Sequence, residues 1–395
     1  MLRLVVFLFF LLPIAICQAQ LLESLLLADS NLIVRKVMAN PDKYRVQIIY
    51  TETNPVNSQK LIVNSQSSLT THYFRNNPNE YFFPASLVKF PVSVLALEKL
   101  NSLSLFGITP FTPFMPLSDF QCKKMKFNSF NILPQSASDL LKKVFVYSDN
   151  EAYNYLYELC GQAFIQERMQ EMGFGNARIV EKIANCSGEN NRMTGPIAFY
   201  HEQELFHIEG RQTNANHLVP PAIDTRLGKG YLWGGKYIPA PKDFANANFV
   251  PLKDFHQMQI ALHMPLAVPV DKRFKISEAA RELVRQSMCT LPSQYFADTL
   301  KKPFLDNYVK YLFGQTDTIP SHFKIYNKVG LAYGFASDCS YFEDSKNNIR
   351  FFLSAMIYTN ENEILNDGKY EYYTIGIPFL RRLGQIVYQY ELKKK

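Results

Sequence analysis

Several motifs that commonly mark an enzyme class or a metal site are missing from the sequence. It contains no Cys-x-x-Cys pair, no Gly-x-Ser-x-Gly elbow, no phosphate loop and no dinucleotide fingerprint. These absences argue against the zinc, redox and nucleotide-binding sites that such motifs indicate. His256 and His263 are not at the spacing of helical metal ligands. We therefore expect neither a metal ion nor a cofactor.

Charge is also scarce, since only 19% of the 395 residues are charged and the formal net charge is +7. Lysine and arginine are scattered, apart from the run over residues 393–395. A nucleic-acid-binding protein concentrates its basic residues on one face or helix, so we expect no nucleic-acid partner. Hydrophobic residues make up 47% of the chain, which is enough for one large domain or two interlocked ones.

The N-terminus has the pattern of a secretory signal peptide. Arg3 precedes an apolar run over residues 4–16, and a small-residue cleavage site follows at Ala19. We predict a signal peptide over residues 1–19 and an exported, periplasmic mature chain. Lipidation at Cys17 is the alternative, which the bulky Ile16 disfavours. No other stretch approaches the length of a membrane span, so we expect none.

Cysteines are few, and removal of the signal peptide leaves an odd number of them. The sequence has six, at positions 17, 122, 160, 186, 289 and 339. Export would permit disulfides. We nevertheless expect mostly free, buried thiols with at most one or two bridges.

The hydrophobic periodicity predicts helices and strands in an α/β order of the α+β sandwich type. The predicted helices cover residues 21–37, 83–100, 136–173, 252–266, 277–288 and 373–392. The predicted strands cover residues 44–51, 60–63, 323–328, 340–343 and 350–359. Pro91 should bend or locally distort the second turn of the helix over residues 83–100. This order predicts an antiparallel sheet covered by the N- and C-terminal helices, with an all-helical lobe formed by the middle of the chain.

A long insertion interrupts this pattern over about residues 186–249, within one domain over residues 20–395. Glycine, proline, asparagine and aromatic residues are frequent there, and a hairpin is predicted over residues 197–208. Loops of this length tend to be functional lids, so one interpretation is a lid over a site. A surface excursion without a function is the other interpretation, and the sequence leaves both open.

Three short motifs carry the chemistry. The first is Ser86-Leu87-Val88-Lys89 near the start of a predicted helix. Residues three apart share a helix face, so the lysine could accept the proton of the serine hydroxyl. Such a base requires a lowered lysine pKa. A match to this motif alone is weak, because four-residue patterns occur by chance.

The second and third motifs add groups that such a reaction needs. Ser148-Asp149-Asn150 lies in the helical block, and its hydroxyl could relay a proton while its amide binds a carbonyl. Lys328-Val329-Gly330 ends a predicted strand, where the lysine could attract a carboxylate and the glycine permits close approach. Taken singly, Ser148 could be a helix cap and Lys328 a surface lysine.

Together and in this order, the three motifs resemble those of class A β-lactamases and penicillin-binding proteins. The resemblance covers about residues 22–392, interrupted by the insertion. It implies a serine hydrolase that forms an acyl-enzyme on Ser86, with Lys89 as general base or proton shuttle. Ser148 would pass a proton to the leaving nitrogen. The substrate would be bound by Asn150, Lys328, Gly330 and Leu331, and the backbone N–H groups of Ser86 and Leu331 would form the oxyanion hole.

Two departures from the family pattern affect the expected activity. Val329 stands where the family has a hydroxyl residue, and valine cannot donate a hydrogen bond to a substrate carboxylate. Class A enzymes also use a Glu-x-x-x-Asn motif to activate water. Glu181 and Asn185 have that spacing, but their flanking residues do not match. A deacylating base and a solvated loop residue are both open for Glu181.

The resemblance leaves three functions open. One is a β-lactamase that hydrolyses a β-lactam or a related amide. Another is a D-alanyl-D-alanine peptidase that acts on peptidoglycan peptides. The last is a penicillin-binding sensor or scaffold that deacylates slowly or not at all. In each of them the partner is a small amide or β-lactam, and we expect a monomer.

Overall fold

The structure, a computed structural model, describes eight stretches of the chain. These are residues 21–53, 69–117, 133–183, 188–201, 203–214, 222–299, 303–313 and 318–394. The predicted signal peptide, the predicted strand over residues 60–63 and Asn185 lie outside the described residues. Within the described residues, no helix combines the length and the apolarity needed to cross a membrane.

A five-stranded antiparallel sheet forms the centre of the fold. Its strands are β1 (Gln47–Thr53), β2 (Leu69–Phe74), β3 (Phe323–Ala332), β4 (Phe335–Asp344) and β5 (Ile349–Tyr358). Their order across the sheet is β3-β4-β5-β1-β2, so β3 is an edge strand. The sequence predicted that this strand would end at Lys328. The strand continues to Ala332, because β3 and β4 pair through all ten residues of each.

Helices cover both faces of the sheet. The longer ones are α1 (Leu32–Ala39), α2 (Lys89–Asn101), α3 (Ala137–Val146), α4 (Asn150–Cys160), α5 (Gln162–Glu171), α6 (Leu252–His263), α7 (Glu278–Cys289) and α8 (Ile377–Lys393). Shorter helices are residues 21–27, Gly188–Arg192 and Pro292–Tyr295. The 3₁₀ turns are Ala85–Val88, Ser104–Phe106, Pro265–Ala267 and Val270–Lys272, and a π turn covers Tyr372–Gly376.

The N-terminal helix predicted over residues 21–37 is two helices in the structure. Residues 21–27 form the first, and α1 is the second. Asn31 separates them, because its side-chain oxygen accepts hydrogen bonds from the backbone N–H groups of Ile33 and Val34. This cap satisfies donors at a helix start and ends the preceding segment.

Two apolar clusters hold the sheet between its helical layers. One lies between the sheet and the terminal helices, and the other between the sheet and the middle lobe. Strand β3 contributes Ile325 and Val329 to the first cluster and Tyr326 to the second. Side chains alternate along a strand, so Lys328 faces the lobe together with Tyr326.

The insertion folds into small sheets rather than an open loop. The predicted hairpin is present as Ile197–His201 and Gln203–Ile208, joined by a third strand, Phe114–Pro116. The other strands are Met193–Thr194, Arg211–Gln212, Arg226–Leu227, Gly230–Trp233, Lys236–Ile238, Lys242–Asp243 and Ile364–Leu365. Phe244 lies 5.6 Å from Phe83 and 5.0 Å from Tyr333, measured between ring centroids. The insertion thus reaches the segment that precedes Ser86, and its role as a lid stays a prediction.

The described cysteines Cys160, Cys289 and Cys339 are free thiols. Two of them, Cys160 and Cys339, are fully buried, and burial raises the pKa of the Cys160 thiol to about 12. A thiol with a raised pKa is a poor nucleophile, so these buried cysteines act as small apolar side chains.

Replacement of Gly330 by alanine is expected to destabilise the protein. An added Cβ would lie 2.4 Å from the Pro84 carbonyl oxygen and 2.8 Å from the Ser337 hydroxyl oxygen. Relief of such overlap costs about 1–3 kcal/mol in a closely packed interior. Chemical denaturation would measure the loss. Gly175→Ala is the matched control, because nothing lies within 4 Å of its added Cβ. Equal stability of both variants would contradict the expectation.

Candidate active site

Ser86 lies in a 3₁₀ turn, Ala85–Val88, that leads into α2. Ala85, directly before it, has a φ of +48°, in the left-handed region that alanine rarely adopts. Strained residues of this kind cluster at active sites. The sequence predicted a bend or a local distortion of this helix near Pro91. The chain is 3₁₀ over Ala85–Val88 and α-helical from Lys89, and Pro91 is the third residue of α2, where a missing N–H is tolerated.

The Lys89 side chain is fully buried and forms three hydrogen bonds. Its Nζ donates to the Ser148 carbonyl oxygen at 2.5 Å and the Asn150 Oδ1 at 2.6 Å. The third bond is to the Ser148 Oγ at 3.3 Å. The first and second motifs therefore meet at this amino group, although Ser148 and Asn150 follow Lys89 by 59 and 61 positions in the sequence.

Ser148 is held by the turn between α3 and α4 rather than by a helix. Its φ is +62°, which directs the chain sharply from one helix into the next. Asp149 caps α4, because its Oδ1 accepts a hydrogen bond from the Ala152 N–H at 2.7 Å. This cap leaves the Ser148 hydroxyl free to face the two lysines.

Lys328 brings the third motif to the same hydroxyl group. Its Nζ donates to the Ser148 Oγ at 2.8 Å and to the Val329 carbonyl oxygen at 3.1 Å. Burial lowers the pKa of Lys328 well below its usual value, and the charge of Lys89 lowers it further. Burial also lowers the pKa of Lys89 to about 7, against the opposing Asp149 carboxylate. Two cations that share one buried acceptor disfavour each other, so one of them loses its proton readily.

The rate of acylation is expected to rise with pH through a midpoint near 7, because burial lowers the pKa of Lys89 to about 7. The neutral amine is the form that accepts the serine proton, so acidification should remove activity. Asp149→Asn should shift the midpoint to lower pH, since the carboxylate raises this pKa and asparagine can still cap α4. Acylation rates measured across neutral pH test both shifts. A rate independent of pH would contradict the assignment of Lys89 as base.

Gly330 and Leu331 lie on β3 against the Ser86 turn. The added Cβ at Gly330 would nearly touch the Pro84 carbonyl oxygen, so only glycine lets the strand approach this turn so closely. Leu331 follows directly on the strand and is half-buried. This contact brings the backbones of Ser86 and Leu331 to the same edge of the sheet. Their N–H groups as an oxyanion hole stay a prediction.

Val329 is buried among apolar residues on the opposite side of β3. It is 3% exposed and belongs to the cluster beneath the terminal helices. Its side chain is therefore suited to its surroundings. The groups at the site that could bind a carboxylate are the side chain of Lys328 and the hydroxyl of Ser148, which are hydrogen-bonded to each other.

Comparison with known proteins shows a partial sequence match and a shared fold. Residues 57–202 match the model of the Beta-lactamase enzyme family. The fold is shared with PBP-A, at a TM-score of 0.50 and 14% identity over 95% of this chain and 96% of that one. The chain thus has a β-lactamase-like fold and is similar in sequence to this family over the matched residues.

Two bacterial β-lactamases also share this fold. The one from Burkholderia vietnamiensis has a TM-score of 0.50 and 13% identity over 94% of this chain and 96% of its own. The one from Desulfarculus baarsii has a TM-score of 0.50 and 12% identity over 94% of this chain and 97% of its own. No curated protein matches the chain in sequence. The predicted β-lactamase-like fold is confirmed.

Glu181 is held by hydrogen bonds and is not the solvated loop residue that was one of its two open interpretations. It is half-buried, its Oε2 accepts a hydrogen bond from the Asn248 N–H at 3.2 Å, and its own N–H donates to Asn248 Oδ1 at 3.1 Å. Burial raises its pKa, and the Asn248 N–H, Arg178 and Lys242 oppose that shift. The three hydrogen bonds of the Lys89 ammonium go elsewhere. Glu181 thus joins its loop to the end of the insertion.

Ile183, rather than Glu181, lies beside the catalytic face of α4. Asn154 accepts a hydrogen bond from the Ile183 N–H at 2.8 Å and donates to its carbonyl oxygen at 3.2 Å. Asn154 follows Asn150 by four residues, so both side chains lie on the face of α4 that meets Lys89. We infer that an apolar side chain occupies the place from which a carboxylate could activate water. The spacing of the two asparagines is the one sequence signal that could have indicated this contact.

A buried polar network supports Lys328 from behind and was not predicted. Lys310 donates to Asn327 Oδ1 at 2.6 Å, and Asn327 donates to Asp338 Oδ1 at 2.8 Å. All three residues are at most 1% exposed. The network fixes β3 next to Lys328 through side chains on the opposite face. Nothing in the motif spacing indicated it, because its members come from three separate segments.

No group of three or more His, Cys, Asp or Glu side chains in the described part of the chain is arranged to hold a metal ion. Reaction without a metal ion or cofactor stays a prediction from the sequence.

Proposed function

We propose that this protein is an exported, class A-related serine enzyme that forms an acyl-enzyme at Ser86 with β-lactams and related carboxylate-bearing amides. We further propose that it releases the acyl group slowly. The observation that carries the proposal is the convergence of Lys89 and Lys328 on the Ser148 hydroxyl, at 3.3 and 2.8 Å. A base, a proton relay and a carboxylate-binding cation therefore lie within one hydrogen-bonded group.

In the proposed reaction, the neutral amine of Lys89 accepts the hydroxyl proton of Ser86 while its oxygen attacks the amide carbonyl carbon. The negative charge that develops on the carbonyl oxygen is stabilised by the N–H groups of Ser86 and Leu331. The C–N bond then breaks. Ser148 passes the proton from Lys89 to the leaving nitrogen, and an ester at Ser86 remains.

Slow release of the acyl group is supported by the environment of the loop over residues 178–183. Hydrolysis of the ester requires a base that activates water. Glu181 is engaged with Asn248, and Ile183 occupies the nearer position. This arrangement favours a penicillin-binding enzyme of the D-alanyl-D-alanine peptidase or sensor type over an efficient β-lactamase. One variant of PBP-A is known as an acyl-enzyme complex with penicillin G.

Intact-mass spectrometry of the mature protein with a penicillin tests the proposal. A lasting mass increase equal to that of the whole penicillin is expected, with little turnover of a chromogenic cephalosporin. Rapid turnover without a lasting adduct would establish a β-lactamase instead. If neither an adduct nor turnover is observed, β-lactams are not substrates of this site.

A further inference from the structure

A row of aromatic rings borders the polar site. The aromatic wall consists of Tyr147, Tyr295, Phe296, Phe304 and Tyr308. The Tyr147 and Phe304 rings are stacked, with their centroids 5.8 Å apart and their planes at 7°. The centroids of the Phe304 and Tyr308 rings lie 4.4 Å apart. Tyr147 also lies 5.8 Å from Tyr295 and 5.6 Å from Phe296. Each of these separations is in the range of favourable ring pairs.

One end of the aromatic wall is joined to the catalytic groups by the chain itself. Tyr147 directly precedes Ser148, whose hydroxyl receives the hydrogen bonds of both Lys89 and Lys328. The wall therefore begins one residue before the hydroxyl group on which both lysines converge.

The other end is fixed beside Lys328 by buried hydrogen bonds. Asn327, adjacent to Lys328, donates to the Val309 carbonyl oxygen at 2.8 Å. Lys310 donates to Asn327 Oδ1 at 2.6 Å and to the Ile325 carbonyl oxygen at 3.0 Å. Tyr308 immediately precedes these anchored residues. The wall is thus tied along the chain to Ser148 at one end and, through the hydrogen bonds of Asn327, to the strand that carries Lys328 at the other.

The wall is open to solvent, unlike the aromatic residues of the core. Tyr308 is 48% exposed, whereas core rings such as Phe114 and Phe199 are fully buried. Tyr147, Tyr295, Phe296 and Phe304 are half-buried. Rings that served only to fill the core would be buried. The exposed stack instead offers apolar surface to a ligand.

We propose that the aromatic wall is a specificity subsite for an aromatic or extended apolar group on the carboxylate-bearing, leaving part of the substrate. The inference rests on the proposed function, because that function places the carboxylate at Lys328 and Ser148. A ring attached near this carboxylate would meet Tyr147 and Tyr308. The acyl part of the substrate would lie on the opposite side, towards Asn150 and Leu331.

Two cephalosporins with the same acyl side chain test the wall. One carries a styryl group at C3, beside the carboxylate, and the other carries a methyl group there. Their dissociation constants are measured with the Ser86→Ala protein, which cannot be acylated. The styryl compound is expected to bind about five- to tenfold more tightly, the ratio that one or two ring contacts provide. Tyr308→Ala or Phe304→Leu in this background should reduce the ratio to about twofold or less.

Tyr237→Ala is the matched control. Tyr237 lies in the insertion, and its exposed fraction of 50% is close to that of Tyr308. It should leave the ratio unchanged, and thermal unfolding should show that all variants are folded. Equal binding of the two compounds, no binding of either, or a ratio that survives the wall substitutions would each overturn the proposal. Adduct formation by the unmodified protein is measured separately. If the styryl compound binds more tightly through the wall but the unmodified protein forms no adduct, only the proposed acylation is rejected. If an adduct forms but the two compounds bind equally, only the proposed role of the wall is rejected.

Discussion

The Ser86→Ala protein is expected to form no covalent adduct with any β-lactam. The hydroxyl of Ser86 is the oxygen that would carry the acyl group, and the neighbouring Ser148 hydroxyl is engaged by the side chains of Lys89 and Lys328 as the proposed proton relay. Removal of the nucleophile therefore leaves the base without the hydroxyl that attacks the substrate. Intact-mass spectrometry after incubation with a penicillin should show the unmodified mass, where the unsubstituted protein shows a full adduct.

Ser102→Ala serves as the control for this substitution. Ser102 is the exposed residue that follows α2, and its Oγ donates to the Lys99 carbonyl oxygen at 2.6 Å. The same chemical change there should leave the adduct intact. An adduct that persists in Ser86→Ala would move the nucleophile to another residue, and peptide mapping would then locate it.

Ile183→Glu is expected to accelerate loss of the acyl group by about 10²-fold, the lower range for a positioned general base. The backbone of Ile183 is already fixed by two hydrogen bonds to Asn154, at 2.8 and 3.2 Å. A glutamate there would be held beside the face of α4 that contacts Lys89. It could accept a proton from water near the ester. The decay of the purified acyl-enzyme, followed by mass, measures the rate.

Two substitutions separate a base from a change of polarity. Ile183→Gln has the same length as glutamate but cannot accept a proton, so its acyl-enzyme should remain long-lived. Glu181→Gln should also have little effect, because the glutamine oxygen can still accept a hydrogen bond from the Asn248 N–H. A faster release in Ile183→Gln, or a large loss of release in Glu181→Gln, would place the water-activating group elsewhere.

Much of the fold could be predicted from local patterns. Alternation of apolar residues located four strands of the central sheet, although β3 and β4 extend beyond the predicted ends. The extension depends on pairing between neighbouring strands, which a pattern within one strand does not contain. The first predicted helix was too long, because the cap at Asn31 satisfies backbone groups that periodicity does not count.

The candidate site divides in the same way. The spacing of Ser86 and Lys89 and the Ser-Asp-Asn sequence predict a serine enzyme. Spacing alone left the role of Glu181 open, because its hydrogen bond to Asn248, 67 positions along the chain, is not contained in its interval to Asn185. It also missed the aromatic wall, whose rings come from two segments that only the packed lobe brings together.

The sequence by itself determined the residue types of the candidate site: a serine, two lysines and a second hydroxyl, in the order of the motifs that they resemble. The tertiary structure decided which side chain lies beside that chemistry. A motif is local, and its residue types limit the possible reaction. Burial lowers the pKa of Lys89 to about 7, and long-range hydrogen bonds place Ile183, not Glu181, next to Asn154. These depend on residues distant in sequence, because desolvation and hydrogen bonding act through space rather than along the chain.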